Sequence, residues 1–119
     1  MCAAMAMVCR SGGQDFHISG HEHIPELVQL SHYNMSKSPK CKALMDSGCV
    51  DIITADGLKL KEHASGRLYH AINCGAAAKS EEAAMGMVDC LHMNGRLICP
   101  VGPPNSLQWL TSFDKTPNG

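Results

Sequence analysis

Strand-like and helix-like stretches take turns along this chain, and that alternation restricts its fold more than any single residue does. Apolar runs at residues 49–55, 68–74, 96–101 and 107–113 read as strands, with a poorer one at 15–22. Residues 1–9 are rich in Ala and Met, good helix formers, and Gly12-Gly13 stops them. Residues 24–36 carry Ile24, Leu27, Val28 and Leu30 at helical spacing, with Pro25 in the first position. Ser80 caps a predicted helix running to Met93, with Glu81 and Glu82 favourable in its first turn, and Asn94-Gly95 ends it. Residues 38–47 and the polar stretch before residue 68 read as loops.

The order helix, strand, helix, strand, strand, helix, strand, strand implies an α/β fold with a mostly parallel sheet. The opening helix needs an earlier strand to cross over from. The hairpin-type signal Thr116-Pro117-Asn118-Gly119 has no second strand after it. The expected fold is therefore incomplete at both ends.

Composition excludes several function classes. Hydrophobic residues make up 45% of 119, enough for a packed core that buries roughly two-thirds of the unfolded surface. The formal charge is −1, and Lys and Arg are scattered apart from Lys37, Lys40 and Lys42, so no basic face for nucleic acid emerges. Seven cysteines are an odd number, with no CxxC spacing. Cys74 and Cys99 fall inside apolar runs, where a free Cys behaves as a small hydrophobe. The apolar stretch 1–9 has no basic residues ahead of it and is too short to span a bilayer. Reduced thiols without a secretion signal point to the cytoplasm, and a monomer with no membrane partner is expected.

In doubly wound sheets, ligands bind beyond the carboxyl ends of the strands. Glu22 ends the first predicted strand, where an acid can accept hydrogen bonds from both hydroxyls of a ribose. Asp56-Gly57 follows the second, where a carboxylate beside a Gly can reach an adenine amino group. Gly75-Ala76-Ala77-Ala78 follows the third, and small residues let a ligand approach the backbone. Each has a plain structural reading as well: a solvated acid or helix cap, a common turn, and tight packing. Their order and spacing carry the case.

Four segments in that order resemble the protein-L-isoaspartate O-methyltransferase family. They are Glu22-His23-Ile24-Pro25-Glu26-Leu27-Val28, Asp56-Gly57, Tyr69-His70-Ala71-Ile72-Asn73-Cys74-Gly75-Ala76-Ala77-Ala78 and Gly95-Arg96-Leu97-Ile98-Cys99-Pro100-Val101-Gly102. The last two are similar to the family's YDAIHVGAAAP and GGRLILPVG at the same separation. The resemblance implies a Rossmann-like S-adenosylmethionine-dependent methyltransferase fold, with residues 1–119 as the C-terminal portion of a single such domain. It also implies methyl transfer to isoaspartyl carboxylates in damaged proteins, a repair reaction. On this reading Glu22 holds the ribose, and Asp56 with Gly57 holds the adenine.

No catalytic residue is assigned. The family places its glycine-rich cofactor motif and a Ser-containing active-site segment ahead of the matched region, and nothing in residues 1–13 matches either. S-adenosylmethionine binding is therefore expected to be weak or absent, and the alternative is a non-catalytic remnant or interaction module. His21, His70, Ala55 and Leu58 depart from the family pattern, and a polar side chain buried in a sheet without a partner costs about 1–3 kcal/mol. A further alternative is a small metal-binding module. His17, His21 and His23 share one strand face with Glu22 nearby; no fourth ligand stands at helical or loop spacing, though His32 or His63 could fold in.

Overall fold

The strands of the described residues form two sheets, one in each of two compact units, Met1–Ala55 and Asp56–Gly119. The computed structural model describes residues 1–13 and 15–117, so Asn118 and Gly119 of the predicted terminal turn lie outside it.

The first unit contains α1 (Cys2–Ser11), β1 (Ile18–Glu22), α2 (Pro25–Ser36), α3 (Pro39–Asp46) and β2 (Val50–Thr54). β1 and β2 pair in parallel, from Ile18 opposite Val50 to Glu22 opposite Thr54. The connection between them is helical, as a parallel crossover requires. Pro25 occupies the first turn of α2, where its missing N–H leaves no intrahelical bond unmade.

α3 replaces an expected loop. Ser38 caps it by accepting a hydrogen bond from Cys41 N at 3.5 Å, and Pro39 sits in its first turn. Only Leu44 of this helix is buried, so its residues show little apolar periodicity. The start signal Ser38-Pro39 was the available cue.

Ala6, Ile18, Leu44 and Val50 form the core of this unit, with Cys2, Met5, Phe16 and Met35 against it. α1 lies so close to β1 that a Cβ on Gly20 would come within 2.9 Å of Cys2 Sγ. His32 Nε2 adds a bond from α2 to the Ile52 carbonyl oxygen of β2 at 2.9 Å.

The second unit begins with a short 3-10 helix (Gly57–Lys59) and α4 (Leu60–His63), then β3 (Tyr69–Asn73), α5 (Glu81–Val88), β4 (Leu91–Val101) and β5 (Trp109–Asp114). β4 is central, parallel to β3 and antiparallel to β5. Ser80 Oγ caps α5 by accepting from Ala83 N at 3.1 Å.

That helix stops at Val88, five residues before the expected end. Leu91 is fully buried and already pairs with Tyr69 as a strand residue. The offset between β3 and β4 then changes from 22 (Tyr69 to Leu91) to 25 (Ala71 to Arg96), so β4 carries three extra residues at this point. Asn94 absorbs the irregularity with φ 65°, and its N–H is bonded to the Lys115 carbonyl at 2.7 Å. From Gly95 onward the buried positions alternate strictly through Leu97 and Cys99. With Leu60, Ala84, Met87, Cys90 and Leu91 they make the core of the second unit. Among the described residues no polar or charged side chain is fully buried, and no helix is long and apolar enough to cross a membrane.

Candidate functional site

Glu22 is the last residue of β1, and its carboxylate turns back onto the entrance of α2. Oε1 accepts from the Ile24 N–H at 3.2 Å and lies 3.4 Å from His23 Nδ1. Ile24 is the N-cap residue of α2 in extended conformation, with no side-chain oxygen of its own to offer. Glu22 therefore does part of the capping. Its side chain remains about one-third exposed (35%), and Oε2 makes no hydrogen bond among the described residues. The Glu22 carbonyl accepts from Ala55 N at 2.9 Å, which ties the end of β1 to the residue closing this unit.

Asp56 opens the second unit as the N-cap of the 3-10 helix that starts at Gly57. Its Oδ1 accepts from the Leu58 N–H at 3.0 Å, and its carbonyl accepts from Lys59 N at 3.0 Å. The side chain is half-buried, and Oδ2 makes no hydrogen bond among the described residues. Both predicted acids are thus fixed by their own local backbone through one oxygen, with the second oxygen still able to accept. Asp56 and Gly57 come together in one turn, as adjacency dictates.

Past β3, the small-residue stretch divides into two parts. Ala78 is buried at 1% and bridges Val101: its N–H bonds the Pro100 carbonyl at 2.9 Å, and Gly102 N bonds back to it at 3.0 Å. That end is tight packing. Gly75 is open, with nothing within 4 Å of the position its Cβ would take.

The three strand histidines do not converge. His17 Nε2 pairs with Asp51 Oδ2 at 3.2 Å, His21 Nε2 with Ser19 Oγ at 3.1 Å, and His23 with Glu22. No group of three or more His, Cys, Asp or Glu side chains is poised for a metal ion among the described residues. His70 corrects another expectation. It is exposed rather than buried, and its ring packs at 4.2 Å on that of His92 from β4, so the expected burial cost does not arise. A shallow depression between α1 and α3 is lined by Ala6, Met7, Arg10, Ser11, Lys40 and Leu44, and none of the predicted site residues lines it.

Sequence reasoning missed the mutual arrangement of Cys74 and Cys99, whose thiols both approach the Ala76 carbonyl in the loop after β3. Only a strand register could have revealed it.

The profile of the family "Protein-L-isoaspartate(D-aspartate) O-methyltransferase (PCMT)" matches residues 1–119. A protein-L-isoaspartate O-methyltransferase of Aeropyrum pernix is 34% identical over 118 residues, 98% of this chain and 40% of the relative. One from Caenorhabditis elegans is 36% identical over 115 residues, 97% of this chain and 46% of the relative. The chain therefore spans less than half the length of these curated relatives. Among solved structures, a Plasmodium falciparum protein assigned as a protein-L-isoaspartate O-methyltransferase, in complex with S-adenosyl-L-homocysteine, aligns with a TM-score of 0.69. Its sequence identity is 27%, over 83% of this chain and 44% of that one.

Proposed function

The chain belongs to the protein-L-isoaspartate(D-aspartate) O-methyltransferase family, and we propose that it contributes part of a site for methylating isoaspartyl carboxylates in damaged proteins. The observation that carries this reading is the state of Glu22 and Asp56. Glu22 ends β1 and Asp56 follows β2; each is held by a neighbouring N–H and keeps one carboxylate oxygen available. In this reading Glu22 is an acceptor for ribose hydroxyls, Asp56 an acceptor for the adenine amino group, and Gly57 allows close approach of the ligand.

S-adenosylmethionine, when bound, supplies a methyl group made electrophilic by its sulfonium. An isoaspartyl carboxylate has an unperturbed pKa near 4, so it is ionised at neutral pH and needs no general base. What remains for the protein is to hold nucleophile and methyl in line. Glu22 and Asp56 orient the nucleoside end; neither touches the reacting atoms in this reading. The reading has the 119-residue chain bind this cofactor weakly. The same reading has the chain act as a monomer in the cytoplasm, in keeping with seven cysteines that are all free.

Titration of the 119-residue chain with S-adenosylhomocysteine, followed by amide chemical shifts, tests the assignment. Saturable shifts at Glu22, Asp56 and Gly57 are expected, with affinity weaker than micromolar. Glu22→Gln and Asp56→Asn should each weaken it by about tenfold or more, as loss of a charge-assisted hydrogen bond implies. Unchanged binding in both variants would remove the residue assignment, and a low-micromolar dissociation constant would overturn the weak-binding reading. No saturable shift at all would leave the non-catalytic alternative. Methyl transfer to an isoaspartyl peptide is measured alongside.

A further inference from the structure

Cys74 and Cys99 occupy partner positions on neighbouring parallel strands. Asn73 is opposite Ile98, and the Cys74 N–H bonds the Ile98 carbonyl at 2.9 Å, which in a parallel ladder sets Cys74 opposite Cys99. Both side chains belong to the same core. The Cys74 thiol donates to the Ala76 carbonyl at 3.1 Å, and Cys99 Sγ lies 3.6 Å from that same oxygen while also reaching the Pro100 carbonyl at 3.3 Å. Adjacent strands lie roughly 4.8 Å apart, inside the range of about 4.4–6.8 Å over which two Cα atoms can carry a disulfide.

We propose that Cys74 and Cys99 are a dithiol modification site, closing to a disulfide on reaction with a low-molecular-weight disulfide of the glutathione type. The inference is independent of the methyl-transfer reading.

Exposure sets the order of events. Cys99 is fully buried and Cys74 is partly exposed, so Cys74 meets the reagent first. Its thiolate attacks one sulfur of RS–SR, forming a mixed disulfide and releasing RS⁻. The Cys99 thiolate then attacks the Cys74 sulfur and expels the second RS⁻. The two protons lost by the cysteines end on the two RS⁻ groups, so the protein loses two electrons and two protons while RS–SR becomes two RSH. Burial pushes the Cys74 thiol up to about 11, with Cys99 beside it adding to the shift. The reaction is accordingly slow at neutral pH and accelerates about tenfold per unit on the alkaline side. Cys90, the other buried thiol of this core, lies just past α5 and is directed back to the Gly86 carbonyl of that helix instead.

The test is a disulfide map of the full chain after incubation with oxidised glutathione at mildly alkaline pH. Tryptic cleavage after Arg67, Lys79, Arg96 and Lys115 places Cys74, Cys90 and Cys99 on separate peptides, 68–79, 80–96 and 97–115. The expected product is the 68–79/97–115 pair, reversed by dithiothreitol. In Cys99→Ser the reaction should halt at a glutathione adduct on Cys74. The proposal is overturned if wild-type Cys74 carries glutathione while Cys99 stays free. Pairing of Cys74 with another cysteine as often, or no modification of either, also overturns it. The wild-type map decides alone should Cys99→Ser fail to fold.

Discussion

Arg96 and Asp114 face each other across β4 and β5 as a two-pronged pair, with Nε to Oδ1 at 2.6 Å and Nη2 to Oδ2 at 3.0 Å. They are also Cα partners in the antiparallel register, so the fork closes the exposed end of the β4–β5 ladder directly over a strand pair. The planar guanidinium matches the carboxylate through two parallel bonds, a geometry Lys cannot reproduce.

The hydrogen bonds from Arg96 hold the Asp114 carboxyl below its usual 3.8. A depressed carboxylate stabilises the fold above its unfolded value, and that contribution is lost as pH falls through the folded one. Both groups are exposed, so the effect is small and weakens with salt. Thermal midpoints of wild type and Asp114→Asn should differ near neutrality in dilute buffer and converge well below pH 3.8. A gap that is constant across that range would show that the pair is not its source.

Gly95 sits where β3 and β4 change register, and an added Cβ would meet the carbonyl oxygens of His92 at 2.9 Å and of His70 and Tyr69 at 3.1 Å. Backbone atoms cannot swing aside as a side-chain tip does. Gly95→Ala should therefore cost about 1–3 kcal/mol in urea unfolding, in the manner of an overpacked site. Gly86, in α5, has nothing within 4 Å of its Cβ position. Gly86→Ala should instead add roughly 0.5–1 kcal/mol through reduced backbone entropy and better helix propensity. The opposite signs of the two glycine changes are the measurement.

Leu97 has no exposed surface and lies in the core between β4 and α5. Leu97→Ala should destabilise the chain by roughly 2–5 kcal/mol, combining lost transfer energy with a cavity. In so small a unit that is a large share of the stability, and denaturant midpoints should show it plainly.

Cys74 has the reverse pH sign to Asp114. Its thiol is raised from 9.0 to about 11, chiefly by burial. The neutral thiol is therefore favoured in the folded chain: its stabilisation is complete below pH 9 and lost as pH rises towards about 11. Wild type should lose stability across that alkaline window more steeply than Cys74→Ser. Equal slopes would mean that another group governs the alkaline limb.

Local signals read from the sequence held well where the physics is local. Pro25 does open α2, Ser80 does cap α5, and the apolar runs at 49–55, 68–74 and 107–113 hold β2, β3 and β5 to within a residue or two at each end. The short helices at Gly57–Lys59 and Leu60–His63 fall where a loop was expected, and two further departures have a clear physical cause. α3 buries Leu44 alone, so it has no apolar stripe to be counted. Residues 91–94 carry helix-compatible side chains, yet burial of Leu91 against β3 draws them into β4, a tertiary demand that overrides propensity.

The candidate site was legible in part. Glu22 and Asp56-Gly57 could be chosen because acids and glycines at strand ends have a recognised chemistry, and the order of the four matched segments led to the family. The hydrogen bonds that hold one oxygen of each acid, and the scattering of His17, His21 and His23 to different partners, needed coordinates. Side chains 30 or more positions apart, such as His17 and Asp51, meet only once a register is chosen.

By itself, the order of residues determined the alternation of helices and strands, the caps that bound them, and the acids that end two strands. These follow from interactions within a few positions along the chain, where covalent geometry limits the choices. Tertiary structure alone decided that the strands of the described residues divide between two sheets, that β4 carries three extra residues against β3, and that Cys74 stands opposite Cys99. Strand pairing joins distant segments through backbone groups that every residue carries alike, so the choice of partner falls to the packing of whole faces.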